Sequence, residues 1–240
     1  CGLLGRQIVN GIVDNDGCVI ATEPDENKAK KIFKSLPSNK IHITQMDITD
    51  YDSIDRAITT GLQKFGSVDS CVNSAYPRTS EWGDLFEEMK IEDIKENLML
   101  QLGGAIILSQ RMMRHFELQG HGNFIHISSI QGVAAPKFEH YDGTSMSSSI
   151  LYSTIKSGVI AMNRWLAKYY KNKNIRVNCV SPGGILDQQP QSFLKKYRES
   201  CTSKGMLEPS DIVGTILFLL SDQSEYINGQ NIVVDDGWTL

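Results

Sequence analysis

A tyrosine and a lysine four positions apart, Tyr152 and Lys156, form the strongest chemical signal in the sequence. Positions four apart lie on one face of a helix, so both side chains can point into one cleft. A phenol loses its proton near pH ~10 in water, and a neighbouring ammonium favours the phenolate and lowers that pKa toward neutral pH. The pair therefore predicts proton exchange with a substrate by general acid/base catalysis.

A second pair with the same spacing, Tyr169 and Lys173, lies at the polar end of the same predicted helix and faces the next loop, so we reject it. The first pair is accompanied by small residues that permit close packing against a sheet or a cofactor: Ser153, Ser157, Gly158 and Ala161. It also follows a predicted strand that ends in Ser128 and Ser129, whose hydroxyls could reach a carbonyl oxygen. Together these residues predict a site for alcohol or carbonyl chemistry.

A glycine turn at the start of the sequence predicts a phosphate-binding helix entry; it consists of Gly2, Leu3, Leu4 and Gly5. Free backbone N–H groups and the positive end of the helix dipole favour a pyrophosphate there. Glu23 stands 18 positions after Gly5, at the end of a predicted strand. A carboxylate at this place can accept the ribose hydroxyls of an adenosine and would repel a 2′-phosphate. We therefore predict NAD as the cofactor, with NADP disfavoured.

Two further short motifs follow predicted strands in the order that dinucleotide binding requires. Asp47 and Ile48 could pair with the adenine amino group and cover its face, and Asn73, Ser74 and Ala75 could line the adenosine side. Each motif is common by chance. Their weight comes from occurring in sequence, each at the carboxyl end of a strand, where open parallel sheets bind ligands.

Short β-rich runs alternate with longer helix-period segments along the chain, which predicts an α/β fold of Rossmann type. We expect a doubly wound parallel sheet flanked by helices on both faces. The predicted strands are residues 18–22, 41–46, 68–73, 123–128, 175–180 and 231–234. The predicted helices are residues 25–36, 51–65, 91–116, 150–170 and 209–221, with another beginning near Arg6.

The organisation is that of a single dinucleotide-binding domain over residues 1–240, without repeats or linkers. Two segments stand outside the alternation, residues 132–149 and 183–205, and we expect both to be substrate-side loop insertions. No strand precedes the glycine turn, so we also expect that a first, central strand is missing from these residues.

Composition limits the partners of the protein. A net charge of -4, from 24 basic and 28 acidic residues, gives no electrostatic footprint for nucleic acid or an anionic membrane. No apolar run approaches the ~20 residues of a membrane span and no leader is visible, so a cytoplasmic protein with a small-molecule partner is expected. The five cysteines are scattered and predict buried free thiols and no metal site: Cys1, Cys18, Cys71, Cys179 and Cys201.

These motifs together resemble the short-chain dehydrogenase/reductase family across the whole chain. Besides the residues above, the resemblance includes 178–183 (Asn-Cys-Val-Ser-Pro-Gly), Asn228-Gly229-Gln230, and Asp236-Gly237. Within the family the chain most resembles oxidoreductases of bacterial surface-sugar biosynthesis that act in flagellin modification. The insertion at residues 137–144 and the segment 182–187 carry this narrower resemblance.

The resemblance implies a role for each site residue. Tyr152 is the general acid/base, Ser129 orients the substrate oxygen, and Lys156 holds the nicotinamide ribose and lowers the pKa of the tyrosine. The residues implied to bracket the nicotinamide are Pro182, Gly183 and Ile185. The family's usual subunit contacts lie on the helices 91–116 and 150–170, which implies a homodimer or homotetramer.

Three positions depart from the family pattern. The asparagine of its proton relay is Gln101 here, although Asn97 lies one turn earlier and could substitute. Ser129 and Tyr152 are separated by 23 positions, which leaves room for a loop over the substrate. The threonine common after the Pro-Gly pair is Asp187, so the usual carboxamide contact is in question.

The sequence therefore predicts reversible hydride transfer between NAD and a secondary alcohol or ketone. The polar insertion suits a sugar or amino-sugar derivative: Glu139, His140, Tyr141, Asp142, Thr144 and Ser145. A solvated surface loop remains the alternative for this segment. Two other functions stay open: a non-redox epimerase or dehydratase that keeps NAD bound, and a dinucleotide-binding subunit without catalysis.

Overall fold

The structure is a computed structural model that describes residues 2–80 and 82–240. All paired strands in this part of the chain run parallel. The strands are β1 (Val19–Glu23), β2 (Ile41–Gln45), β3 (Ser70–Asn73), β4 (Gly122–Ile127), β5 (Ile175–Pro182) and β6 (Asn231–Val234). Each strand overlaps its predicted run, and the largest changes are of two residues: β3 begins at Ser70, and β5 continues through Pro182.

The strands form two hydrogen-bonded groups, β1 with β2 and β3–β4–β5–β6 in that order. The predicted α/β fold with a parallel sheet is confirmed. Instead of one continuous sheet, however, the described residues show no pairing between β1 and β3. The expectation of a further strand ahead of the glycine turn, and that of a single domain, stay predictions.

Helices connect the strands as the alternating pattern predicts. They are α1 (Leu3–Asp14), α2 (Glu26–Ile32), α3 (Tyr51–Phe65), α4 (Ile91–Asn97), α5 (Gly104–Gln119), α6 (Ile150–Tyr169), α7 (Gln191–Glu199) and α8 (Val213–Leu220). α1 begins three residues before the predicted start at Arg6. The single helix predicted over 91–116 is divided, because a π-helical segment, Leu98–Gly103, joins α4 to α5.

The core covers both faces of the larger sheet, as in a doubly wound fold. Phe124 and Ile125, neighbours on β4, are both fully buried but belong to different apolar clusters. Phe124 packs with Phe116 of α5, whereas Ile125 packs with Ile8 of α1 and Ile216 of α8. A strand covered on both sides is typical of parallel sheets, and it fixes the carboxyl ends of the strands as the edge open to a ligand.

The thiols of the described cysteines are free. Cys179 is buried in β5 as expected, Cys71 and Cys201 are partly buried, and Cys18 is exposed ahead of β1, contrary to the expectation. Cys1 lies outside the described residues. None of the described helices is long and apolar enough to cross a membrane.

A histidine, His126, lies fully buried in β4, where apolar residues would be usual. Its Nε2 is 3.4 Å from Ser109 Oγ, its ring contacts that of Phe124 at a tilt of 33° with the centroids 4.2 Å apart, and its Nδ1 has no hydrogen-bond partner among the described residues. Burial, with a smaller contribution from the charge of Lys156, lowers the pKa of His126 to about 3. The folded protein therefore holds this imidazole neutral.

We expect His126 to make the fold sensitive to acid. In the unfolded chain this histidine is protonated below pH ~6.5, whereas in the folded protein it stays neutral down to pH ~3. The contribution to the free energy of unfolding is therefore fully present above pH ~6.5 and is lost as the pH falls from ~6.5 to ~3. Replacing His126→Asn should reduce the pH slope of the unfolding free energy by about 1.4 kcal/mol per pH unit. Urea unfolding at a series of pH values measures the slope. Parallel curves for the two proteins would contradict the expectation.

Candidate active site

Tyr152 and Lys156 lie together in the first two turns of α6, as predicted. The helix begins after Ser149, whose hydroxyl accepts a hydrogen bond from the backbone N–H of Leu151 at 3.3 Å. Lys156 is only 8% exposed, and its Nζ donates to the carbonyl oxygen of Ile127, the last residue of β4, at 3.1 Å. The same Nζ lies 5.6 Å from the ring centroid of Tyr152. The helix and the sheet edge thus hold the two groups in one place.

The two serines after β4 have different tasks in the structure. Ser128 donates its hydroxyl to the carbonyl oxygen of Lys156 at 2.8 Å, which ties the strand end to α6. The hydroxyl of Ser129 is near enough to the Tyr152 phenol to lower its pKa, and its oxygen accepts a hydrogen bond from the N–H of Gln131 at 3.2 Å. Ser129 is therefore the serine that lies beside the phenol, and its action on a substrate oxygen stays a prediction.

The electrostatics of the pair differ from the expectation. Burial raises the pKa of the Tyr152 phenol, and the hydrogen bond with Ser129 opposes this rise. The ammonium of Lys156 lies over the face of the ring, with its donated hydrogen bond directed to the sheet. Burial also lowers the pKa of Lys156, to about 8. Both groups are thus held toward their neutral forms in this structure, and the predicted lowering of the tyrosine pKa by the lysine is not seen.

Of the two candidates for the relay position, Asn97 is fully engaged. Its Oδ1 accepts from the N–H of Thr79 at 3.2 Å, and its Nδ2 donates to Thr79 Oγ1 at 2.8 Å and to the carbonyl of Asp93 at 2.9 Å. Gln101 is 6% exposed, and neither its Oε1 nor its Nε2 has a hydrogen-bond partner among the described residues. It belongs to the π-helical segment, the kind of irregularity that often accompanies functional sites.

The glycine turn meets the end of β3. A Cβ added to Gly5 would lie 3.1 Å from Ser74 Oγ, so α1 approaches this strand end closely and a larger residue would require the serine side chain to shift. The first turn of α1 follows Gly2, and no side-chain oxygen of the described residues caps it. Its free N–H groups suit a phosphate. Leu3 and Leu4 form the first residues of that turn, so these four residues fit a dinucleotide pyrophosphate.

The predicted adenosine contacts lie at or just after the carboxyl ends of β1 and β2. They differ in how far their side chains are already engaged with other residues. Glu23 is the last residue of β1, and burial raises the pKa of its carboxyl. Asp47 already accepts the N–H and the hydroxyl of Thr49, at 2.8 and 2.7 Å. Ile48 is 7% exposed and packs in the core against Gly104, so its contact with an adenine stays a prediction.

The strand ends β3 and β5 carry the remaining predicted cofactor residues. Asn73 closes β3, and its Oδ1 accepts from the N–H of Ala75 at 3.2 Å, which shapes the turn after the strand. Pro182 closes β5, and the N–H of Gly183 donates to the carbonyl of Val234 at 2.8 Å. Ile185 forms an isolated parallel bridge with Leu207. All of these residues lie at the carboxyl ends of the strands, the edge that fits a dinucleotide.

The polar insertion is less free than the sequence suggests. His140 is buried, its Nε2 is 2.9 Å from Ser200 Oγ, and its ring is surrounded by three others: Phe193, Tyr197 and Trp238. Lys196 of α7 donates to the carbonyls of Glu139 and Asp142 at 2.8 and 3.0 Å. The segment 183–205, predicted as a loop, therefore contains the helix α7, which is hydrogen-bonded to the polar insertion.

Sequence reasoning missed two aromatic residues at the site, Tyr76 and Trp82. The Tyr76 ring lies 5.7 Å from that of Tyr152, and the Trp82 ring lies 6.1 Å from it. Lys156 Nζ lies 5.5 Å from the centroid of Tyr76. The signal that could have found them is their position in the segment that follows the strand-end motif at residues 73–75, with Tyr76 directly after it and Trp82 seven positions after residue 75.

The fold and this arrangement define a dinucleotide-dependent oxidoreductase, and comparisons with known proteins agree. The family model described as Enoyl-(Acyl carrier protein) reductase matches residues 4–239. The chain belongs to the short-chain dehydrogenase/reductase family. It is an enzyme of that family that uses a nicotinamide dinucleotide.

Three relatives show the range of the similarity. The chain is 44% identical to post-translational flagellin modification protein A of Campylobacter coli, over 100% of the chain and 95% of that protein. It is 29% identical to 7alpha-hydroxysteroid dehydrogenase of Bacteroides fragilis, over 100% of the chain and 91% of that protein. A short-chain dehydrogenase of Leptospira borgpetersenii, solved with bound NAD+, is 30% identical with a TM-score of 0.87, covering 100% of the chain and 89% of that structure.

Proposed function

We propose that the protein transfers a hydride reversibly between NAD and a secondary alcohol or ketone of a sugar or amino-sugar derivative. The observation that carries the proposal is the grouping of Ser129, Tyr152 and Lys156 at the carboxyl edge of the sheet. A bound nicotinamide dinucleotide supplies the hydride acceptor in oxidation and the hydride donor in reduction. The similarity to a flagellin modification protein supports a role in the modification of surface sugars.

The residues divide the proton chemistry between them. In oxidation the Tyr152 oxygen, as the phenolate, takes the proton of the substrate hydroxyl, while the hydride leaves the carbon that bears it. Ser129 donates a hydrogen bond to the substrate oxygen as it becomes a carbonyl. Lys156 holds the nicotinamide ribose, and we propose that its ammonium stabilises the phenolate during the reaction, although burial dominates the pKa of Tyr152 in this structure. In reduction each transfer runs in reverse, and Tyr152 gives its proton to the new alcohol.

Glu23 supports a preference for NAD. Its carboxylate at the end of β1 can accept two ribose hydroxyls, and its negative charge opposes a 2′-phosphate. Titration of the purified protein with NADH and NADPH, followed by fluorescence, measures the preference. We expect NADH to bind at least about tenfold more tightly. Equal affinities would refute the assignment of Glu23.

Hydride transfer itself is tested with a panel of free and nucleotide-linked amino sugars. We expect a net change in NADH absorbance with at least one sugar alcohol or ketone. Conversion of the sugar without a net change would instead identify the epimerase or dehydratase alternative. Binding of NADH with no conversion in the whole panel would favour the dinucleotide-binding subunit.

Gln101 is proposed to hold a water that carries protons to and from Lys156. An amide this deeply buried, with no partner in the described part of the protein, needs water for its hydrogen bonds. Replacing Gln101→Leu should lower kcat by about tenfold to a hundredfold. The urea midpoint should not fall, because the substitution removes no hydrogen bond to another described residue. Gln101→Asn should retain most of the activity, and an unchanged kcat in the leucine variant would exclude the relay.

We also propose a homodimer or homotetramer, in which α6 contributes to the contact between subunits. Trp165 and Tyr169 are stacked on the outer face of α6 with centroids 4.6 Å apart and are 59% and 66% exposed. Exposed aromatic pairs of this kind are enriched at protein interfaces. Light scattering at micromolar concentration should give a mass of two or four chains. A monomer would contradict the proposal.

A further inference from the structure

The residues described between Tyr76 and Gly83 form a wall beside the proposed proton donor. The ring of Tyr76 is inclined by 72° to that of Tyr152, and the ring of Trp82 by 85°. Tyr76 and Trp82 also contact each other edge to face, with centroids 5.8 Å apart. The three rings therefore form one edge-to-face cluster, and the proposed proton donor is one of its members.

The wall is held in place by contacts from two other parts of the chain. Asn97, fully buried at the end of α4, binds both the N–H and the hydroxyl of Thr79 in the wall. Ser147 of the polar insertion donates its hydroxyl to the carbonyl of Gly83 at 2.7 Å. A wall fixed at two points presents its rings in a set geometry, which is what selective recognition requires. The contact from Ser147 also gives the insertion a place at the site.

A cation lies at the outer edge of the wall. The guanidinium carbon of Arg78 is 5.4 Å from the centroid of Tyr76, and the side chain is exposed. Among the described residues, no carboxylate forms an ion pair with Arg78. A guanidinium is suited to two parallel hydrogen bonds with a carboxylate or a phosphate. Arg78 can therefore bind a negative group one aromatic ring away from Tyr152.

We propose that Tyr76, Arg78 and Trp82 determine substrate specificity, the rings packing against the face of a sugar and the guanidinium pairing with an anionic substituent of that sugar. The inference rests on the proposed function, because it places the reacting hydroxyl at Tyr152. A sugar ring carries C–H groups on its faces and hydroxyls at its rim, so aromatic walls with few polar groups suit it. A carboxylate and a phosphate share the chemistry that Arg78 recognises.

Binding is measured by ligand-observed NMR with three matched sugars: N-acetylglucosamine, its 6-phosphate and N-acetylmuramate. NADH is present throughout, so no alcohol is oxidised during the measurement. We expect the wild-type protein to bind one or both anionic sugars about tenfold more tightly than the neutral one. The stronger of the two identifies the anionic group as phosphate or carboxylate. Equal binding of all three, or binding of none, would overturn the proposal.

Variants distinguish the contribution of the Arg78 guanidinium from that of the aromatic rings. Arg78→Gln should remove the preference for the anionic sugars, Arg78→Lys should retain part of it, and the exposed Arg114→Gln serves as the matched control. Trp82→Ala should weaken all three sugars by a similar factor. NADH affinity should stay unchanged in every variant, which shows that each still folds. A full anionic preference in Arg78→Gln would refute the role of Arg78.

The outcome also distinguishes this proposal from the proposed reaction. Binding of anionic sugars through Arg78 without hydride transfer to any sugar would refute the reaction and leave the recognition surface in place. Hydride transfer with equal efficiency on neutral and anionic sugars, unaffected by changes at Arg78 and Trp82, would support the reaction and refute the recognition surface.

Discussion

Replacing Tyr152→Phe should lower kcat by about a thousandfold or more while NADH binding stays nearly unchanged. Phenylalanine keeps the ring and therefore the edge contacts with Tyr76 and Trp82 at 5.7 and 6.1 Å. Only the hydroxyl is lost, and with it the proton that the substrate oxygen must exchange. Steady-state rates with a sugar identified in the panel, together with a fluorescence titration of NADH, measure both quantities.

A matched control for this substitution exists in the same helix. Tyr169→Phe removes a phenol that also has a lysine four positions later, but this ring is exposed and stacked on Trp165. Its partner Lys173 pairs with Glu117 at 3.4 Å. We expect the control to keep full activity. Full activity in Tyr152→Phe as well would remove acid/base catalysis by this residue, and with it the proposed mechanism.

The pH profile of the wild-type protein adds a second check on the pair. Burial lowers the pKa of Lys156 to about 8, so its ammonium is lost as the pH rises through that value. Oxidation should become faster as rising pH deprotonates Tyr152. If the ammonium of Lys156 stabilises that phenolate, the loss of its charge above pH ~8 should stop this increase. Lys156→Met should abolish most of the activity, and the remaining activity should show no change in its pH dependence near pH ~8.

Local patterns were enough to predict the parallel strands and the pairing of Tyr152 with Lys156. Strands such as β4 are read from short apolar runs, and residues four apart on a helix share a face whatever surrounds them. The choice between the two tyrosine–lysine pairs also followed from local sequence, because the second lies among polar residues at the helix end. The family resemblance added the choice of Ser129 over Ser128.

Features that depend on contacts distant in sequence could not be predicted in this way. Nothing local to Gln101 marks the π-helical segment or the unpaired amide, since both result from packing between elements. The helix α7 was hidden because its polar sequence is anchored by residues of the other insertion, His140 among them. The aromatic wall depends on the hydrogen bonds of Asn97 with Thr79, 18 positions away.

Packing between elements that are distant in sequence also predicts a large loss of activity on substitution of Gly132. This residue ends the short helix after Ser129 and lies directly against the backbone of α6. A Cβ added there would lie 2.8 and 2.9 Å from the carbonyl carbon and oxygen of Lys156, and 3.0 Å from the N–H nitrogen of Ser157. These are backbone atoms, so no flexible side chain can move aside. Any larger residue must push α6 away from the strand end that carries Ser129.

Gly132→Ala should therefore lower kcat by about a hundredfold, because a shift near ~1 Å between the serine and the phenol misplaces both relative to the substrate. Overpacking should also cost about 1–3 kcal/mol of unfolding free energy. The matched control is Gly214→Ala in α8, where an added Cβ meets nothing within 4 Å. That change should leave kcat unaltered and leave stability equal or slightly raised, since alanine favours a helix by up to ~1 kcal/mol. Because Gly132 contributes no chemical group, normal activity in Gly132→Ala would show that the spacing between the strand end and α6 is not what aligns the site.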